Sequence, residues 1–128
     1  MSDLSLTTKI ALEHNVAIEK VTEALKKEGF GVLTSIDFKK TIKAKLDIDF
    51  KELTILGACN PPLAKKALDH DTEVSLLLPC NVSLETTSGK TIVSAVNPLK
   101  LFLLVQDEEI KPVAQEVFDR LKRVIESL

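Results

Sequence analysis

The chain has 128 residues and a mass of 14.1 kDa, a size that predicts one domain over residues 1–128. A domain of this size can bury a core that needs no metal or disulfide for folding. Its 45% hydrophobic and 28% charged residues exclude disorder, and the longest apolar run, Leu101 to Val105, is too short to cross a bilayer. A net charge of −2 and the absence of Trp and Tyr argue against nucleic-acid binding, which needs a basic surface or aromatic stacking platforms.

The first half of the chain alternates strands and helices. Residues 4–12 alternate apolar and polar side chains, which predicts a half-buried strand. After Asn15, a candidate cap, apolar residues at helical spacing predict a helix over about 16–28. Residues 30–37 alternate again as a second strand. Asp37 is then placed to cap a short basic helix, whose apolar residues are Phe38, Ile42 and Leu46.

The second half contains the clearest hairpin. A strand over 54–59 runs into Asn60-Pro61, a cap followed by a proline at the first helical position. Residues 74–86 place apolar side chains at every second position, which predicts one long strand. Ser88-Gly89 supplies a turn, and residues 91–96 return as its partner.

Two helices are predicted at the end of the chain. Asn97-Pro98 predicts the start of a short helix through Val105. The last helix is expected to start near Asp107, where acidic residues favour a helix N-terminus. Its apolar stripe predicts a helix that covers the sheet rather than a coiled-coil seam, and comprises Ile110, Ala114, Val117, Leu121, Val124 and Leu128.

The two cysteines lie beside proline-controlled bends. Cys59 precedes a predicted helix, where partial positive charge can lower a thiol pKa, so it is the stronger nucleophile candidate. Cys80 follows Pro79 and shares the parity of the apolar residues around it, which predicts a buried, inert side chain. Proline cannot donate a ladder hydrogen bond, so Pro79 indicates an edge, a bulge or a point of close approach.

Metal and catalytic motifs are weak or missing. Cys59 and Cys80 are not spaced as a C-x-x-C motif, and a Zn or Cu(I) site would need two further ligands, which only His14 and His70 could supply as nitrogen donors. The candidate metal ligands are Cys59, Cys80 and His70. His70 and His14 are both predicted to be solvent-exposed, His70 at a helix C-terminus and His14 in a loop. The sequence contains no phosphate-binding loop, serine-hydrolase elbow or zincin motif, which leaves open whether the protein is an enzyme.

Three segments together resemble a known family. They are Gly29-Phe30-Gly31-Val32-Leu33-Thr34-Ser35-Ile36-Asp37, Gly57-Ala58-Cys59-Asn60-Pro61 and Leu77-Leu78-Pro79-Cys80-Asn81-Val82. In this order they are similar to family three-hundred-and-two of the domains of unknown function, over nearly the whole chain. The resemblance implies an α+β domain with a single curved, largely antiparallel sheet, helices packed on it, a long C-terminal helix and a tendency to form homodimers. It implies no catalytic residue.

The shared position of the two Cys-Asn segments in this pattern suggests one ligand-binding cleft, lined by Cys59, Asn60, Pro79, Cys80 and Asn81. We expect a small-ligand binding or interaction module first. A thiol-dependent redox or soft-metal protein that uses Cys59, Cys80 and His70 is the second expectation, and a structural homodimer partner is the third. The N-terminal residues lack the features of a signal peptide, so a cytoplasmic protein is expected.

Overall fold

The structure is a computed structural model that describes residues 3–128. The first two residues of the predicted domain, Met1 and Ser2, lie outside the described residues. The elements in chain order are β1 (Ser5–Ile10), α1 (His14–Lys27), β2 (Gly31–Asp37), α2 (Phe38–Leu46), β3 (Glu52–Cys59), α3 (Pro61–His70), a first 3₁₀ helix (Thr72–Leu77), β4 (Cys80–Thr87), β5 (Lys90–Val96), α4 (Pro98–Leu101), a second 3₁₀ helix (Phe102–Leu104) and α5 (Lys111–Glu126).

The five strands form one open antiparallel sheet in the order β1-β5-β4-β3-β2, with β1 and β2 as its edges. Its central hairpin pairs Thr86 with Thr91 and Val82 with Ala95. The predicted α+β fold, with an antiparallel sheet and a C-terminal helix, is confirmed.

The core lies between the sheet and the helices. Alternate residues of the central strands are buried, among them Leu56, Val82 and Val93, while Asn81 on the opposite face is exposed. Helix α1 contacts β2, β4 and β5, and α5 contacts β1 and β5. This packing buries the apolar face of α5, where Leu121, for example, is 0% exposed. The prediction that this helix covers the sheet is therefore confirmed.

The predicted strand over residues 74–86 is wrong in its first part. Residues 72–77 form the first 3₁₀ helix, and β4 starts only at Cys80. The Asp71 side chain caps this helix by accepting a hydrogen bond from the Glu73 N–H at 2.9 Å. A 3₁₀ helix has three residues per turn, so Val74 and Leu77 face the core while Leu76 is 80% exposed.

Two helix starts also differ from the predictions. Helix α5 begins at Lys111 because Asp107 folds the preceding residues into a turn, in which its side chain accepts from the Glu109 N–H at 2.9 Å. Helix α1 begins at His14, and its cap residue Glu13 makes no side-chain capping bond, so the predicted cap Asn15 lies inside the helix.

Three other helix starts are confirmed as predicted. The side chains of Asp37, Asn60 and Asn97 accept hydrogen bonds from the first-turn N–H groups of α2, α3 and α4. Each capping bond joins residues two or three positions apart, so no distant part of the chain is needed to form it.

Candidate functional site

The two cysteines stand at the ends of neighbouring strands but do not face each other. The register of β3 and β4 pairs Cys80 with Ala58. Directly opposed residues share a face and consecutive residues alternate, so Cys59 belongs to the opposite face of the sheet from Cys80. The register therefore does not support a convergent dithiol site, and both cysteines are free thiols.

Neither thiol has the lowered pKa of a reactive cysteine. Burial raises the pKa of Cys80 from 9.0 to about 11, and the proximity of Cys59 adds to the rise. Burial also raises the pKa of Cys59, so the expectation of a helix-activated thiolate there is wrong. Cys80 is only 5% exposed, which confirms the prediction of a buried side chain.

The space next to these cysteines is small. A cavity of about 20 Å³ is lined by both of them together with Leu63, Leu78 and Phe102. That volume admits a single water molecule at most. No room for an organic ligand exists at this position.

Asn60 has a structural role at the start of α3. Its Oδ1 accepts from the Leu63 N–H at 3.3 Å, and its Nδ2 donates to the Glu28 carbonyl at 3.4 Å. The same carbonyl accepts from Arg120 Nη1 at 2.9 Å. Asn60 thus ties the end of α1 to the start of α3, and the Glu28 carbonyl also binds Arg120 of α5. Gly29 makes this contact possible, because its φ is +84° and a Cβ there would lie 2.9 Å from Asn60 Nδ2.

Pro79 and Asn81 lie on the face of the sheet opposite to Cys80. Asn81 pairs with Gly57 across β3 and β4. A Cβ added to Gly57 would collide with the Thr34 hydroxyl and would stand 2.7 Å from Pro79 Cγ. The glycine therefore lets Thr34 and Pro79 lie close against β3. The five residues predicted to line one cleft are divided between the two faces of the sheet.

His70 is far from the cysteines. It ends the ten-residue helix α3, which starts just after Cys59, so the two lie roughly 15 Å apart along the helix. Its Nδ1 is 2.8 Å from Glu109 Oε2, and its side chain is 37% exposed. Within residues 3–128 no group of three or more His, Cys, Asp or Glu side chains is arranged to hold a metal ion. Cys59, Cys80 and His70 do not assemble as a ligand set.

His14 is buried, which corrects the expectation of an exposed loop residue. It is 8% exposed, and both of its ring nitrogens are hydrogen-bonded. Nδ1 lies 2.7 Å from Thr86 Oγ1 on β4, and Nε2 lies 2.8 Å from Thr54 Oγ1 on β3. The chain of bonds continues from Thr86 to Thr91 Oγ1 at 2.7 Å, and Thr91 donates to the Leu12 carbonyl at 2.8 Å.

Counting hydroxyl protons fixes the direction of every bond in this chain. Thr91 has one proton and gives it to the Leu12 carbonyl, so Thr91 must accept from Thr86. Thr86 has then used its only proton, so it must accept from His14 Nδ1–H. In the neutral ring Nε2 carries the lone pair and accepts from Thr54. The network holds His14 in one tautomer and locks α1 onto three strands.

An apolar groove lies between the second 3₁₀ helix and the start of α5, and Phe102 separates it from the small cavity beside the cysteines by lining both. Its volume is about 550 Å³, within the range of small-molecule sites. Leu103 is 63% exposed along it, whereas Phe102 and Ile110 are buried beneath. The lining residues are Leu99, Phe102, Leu103, Val105, Gln106, Asp107, Glu108, Ile110, Lys111, Ala114 and Gln115.

Comparison with known proteins now assigns the family. A sequence profile described as Domain of unknown function DUF302 matches residues 6–128. The chain belongs to this family. The crystal structure of an uncharacterized conserved DUF302 protein from Bacillus stearothermophilus is similar, with a TM-score of 0.89 and 28% sequence identity over 98% of each chain. The resemblance expected from the three sequence segments is thus confirmed. No curated protein gives a significant match.

Within the described residues of this DUF302 chain, no helix is long and apolar enough to span a membrane. A second cleft, of about 620 Å³, lies between α2 and the start of α1. Lys39, Lys40 and Lys43 line it, but so do Asp37, Asp49 and Glu52. Three basic and three acidic side chains line the cleft, so it does not present a basic surface.

The DUF302 groove was not found from the sequence, although a signal for it was present. The apolar run Leu101 to Val105 is followed, after Gln106, by three acidic residues, Asp107 to Glu109. A helix that buried the whole run would leave no groove. The short second 3₁₀ helix buries Phe102 but exposes Leu103 and Leu104.

Proposed function

We propose that this DUF302 domain binds a small, largely apolar organic molecule in the groove between the second 3₁₀ helix and α5. The observation that carries the proposal is the groove itself, about 550 Å³ with a predominantly apolar lining and an exposed leucine, Leu103, along it. Sites of this volume, apolar with a few polar groups at the rim, are typical of small-molecule binding.

The other cavities support this function less well. The cavity beside the cysteines is about 20 Å³, too small for an organic ligand. The cleft beside α2 is lined by charged groups of both signs, which would have to be desolvated by a ligand of matching charge pattern. Only three of the eleven residues that line the groove are charged, so most of a ligand's contacts there would be with uncharged side chains, and burial of the apolar ones is favourable without charge pairing.

Binding of 1-naphthylmethanol, a neutral fluorescent probe, tests the proposal. The chain has no Trp or Tyr, so the naphthalene fluorescence is free of protein background. Leu103→Lys places a charge in the groove at a position that is 63% exposed. Leu46→Lys is the matched control, because Leu46 is 64% exposed on α2 and does not line the groove.

We expect saturable binding to the wild type and to Leu46→Lys, and affinity lower by about tenfold or more in Leu103→Lys, since loss of one leucine contact is worth roughly 1.5 kcal/mol or more. Thermal unfolding of both variants should match the wild type, because both leucines are exposed. Equal probe affinity in Leu103→Lys, or no saturable binding to the wild type, would contradict the proposal.

A further inference from the structure

The charged side chains that line the groove carry more negative than positive charge. Asp107, Glu108 and Lys111 are its charged lining residues. Lys111 Nζ lies 3.1 Å from Glu108 Oε1, so this lysine already has an anionic partner. Asp107 forms no ion pair with any residue of the described chain. One carboxylate therefore remains unpaired beside the apolar surface.

The turn that precedes α5 holds this carboxylate in place. Asp107 Oδ1 accepts from the Glu109 N–H at 2.9 Å, and the Asp107 carbonyl accepts from the Ile110 N–H at 3.1 Å. A second contact stabilises the same turn, because Glu109 Oε2 lies 2.8 Å from His70 Nδ1 on α3. A carboxylate that is positioned before binding loses less freedom when a ligand arrives.

We propose that the groove selects ligands that carry a positive charge next to an apolar body, such as aryl- or alkyl-ammonium compounds. This inference rests on the proposed function of the groove. The ammonium group would meet Asp107 at the rim while the apolar body covers Leu103 and Phe102. An anionic ligand of the same shape would instead place its charge near two carboxylates and one paired lysine.

The neighbouring charges favour the same ligand class. Lys100, the nearest basic residue along the preceding helix, does not line the groove and lies 3.9 Å from Asp3. Gln106 and Gln115 are the only other polar lining residues, and they are neutral. Within the described residues the lining thus has an excess of one negative charge.

Three probes with the same naphthalene body test the inference: 1-naphthylmethylammonium, neutral 1-naphthylmethanol and anionic 1-naphthylacetate. We expect the ammonium probe to bind about two- to fivefold more tightly than the anionic probe at low salt, the range that exposed charge interactions give. The preference should shrink as salt is added, because salt screens exposed charges.

Asp107→Asn should abolish the preference for the ammonium probe over the anionic probe. Asparagine retains the side-chain oxygen that accepts from the Glu109 N–H, so the turn is preserved. Asp49→Asn is the control, since Asp49 is exposed beside α2 and outside the groove.

Each outcome decides a separate point. An ammonium preference that disappears in Asp107→Asn but persists in Asp49→Asn supports the inference. Equal binding of all three probes, or tighter binding of the anionic probe, overturns the inference and leaves the groove as an apolar site. Failure of all three probes to bind overturns both the inference and the proposed function.

Discussion

Replacing Thr91 with valine should destabilise the protein although it changes the shape of the core very little. The Thr91 hydroxyl is fully buried and makes two hydrogen bonds, from Thr86 at 2.7 Å and to the Leu12 carbonyl at 2.8 Å. Valine has nearly the same volume, so no cavity forms. The loss comes from two hydrogen bonds and from the polar groups that are left without partners.

The size of the effect follows from those groups. Each hydrogen bond contributes about 0.5–1.5 kcal/mol, and an unsatisfied buried group costs about 1–3 kcal/mol, so we expect roughly 2–3 kcal/mol less stability. A chain of 128 residues unfolds with an entropy of about 0.27 kcal/mol per kelvin, so the melting temperature should fall by roughly 7–11 °C.

Urea unfolding followed by circular dichroism measures this change directly. Thr87→Val is the matched control, because Thr87 directly follows the buried Thr86 in β4 and its own side chain is exposed. We expect that variant to stay within about 0.5 kcal/mol of the wild type. If Thr91→Val were equally stable, the buried hydroxyls would not form the bonded chain described above.

The same substitution should also release the tautomer of His14. In the wild type, Thr86 donates to Thr91 and can only accept from His14 Nδ1–H. Without the Thr91 acceptor, Thr86 is free to donate to Nδ1. Imidazole ¹⁵N chemical shifts of the neutral ring should show a pure Nδ1–H form in the wild type and a mixture in Thr91→Val. A pure Nε2–H form in the wild type would refute the proton count.

Three further results are expected. Because burial raises the pKa of Cys80 from 9.0 to about 11, the unfolded thiol ionises first, and stability should fall by roughly 2 kcal/mol as pH rises from 9 to 11, relative to Cys80→Ala measured in parallel. Gly57→Ala should lower the melting temperature by several degrees, and Thr34→Ala should restore part of the loss in the double variant; an additive result would contradict the close contact. His70→Gln should change the free energy of unfolding by less than about 1 kcal/mol, because Glu109 is 72% exposed; a larger loss in urea unfolding would show that this contact is stronger than a surface ion pair.

The sequence was most informative where a structural feature depends on neighbouring residues. Asn60-Pro61 and Asn97-Pro98 each place an acceptor side chain directly before a proline, and both begin helices as predicted. The hairpin around Ser88-Gly89 is equally local. Gly89 has a φ of +76°, a conformation that glycine adopts without steric cost.

Prediction failed where two local patterns are alike. Apolar residues at positions 74, 76 and 78 satisfy a strand, but a 3₁₀ helix also buries Val74 while turning Leu76 outward. The deciding interaction is the cap from Asp71, whose side chain bonds to the Glu73 N–H. Alternation over only five residues cannot distinguish the two arrangements.

The position of His14 could not be inferred because its partners are distant in sequence. Thr54, Thr86 and Thr91 do occupy core positions in their strands, and a buried hydroxyl requires a partner. Three threonines at core positions indicate a polar network in the core. Only the register of the sheet and the start of α1 bring the imidazole to it.

The cysteine segments show why a family pattern does not by itself mark a binding site. Asn60 caps α3 and binds the Glu28 carbonyl, and Gly57 admits Thr34 and Pro79 against β3. Both features stabilise the fold through close backbone contacts, which leave little empty space.

The groove between the second 3₁₀ helix and α5, in contrast, has empty space beside an exposed apolar side chain. Leu103 remains 63% exposed there, although full burial of a leucine would contribute about 1.5–3 kcal/mol to stability. Bound ligand can supply that burial, whereas the cavity of about 20 Å³ beside the cysteines admits no organic molecule, and this difference is the physical reason to seek the ligand at the groove.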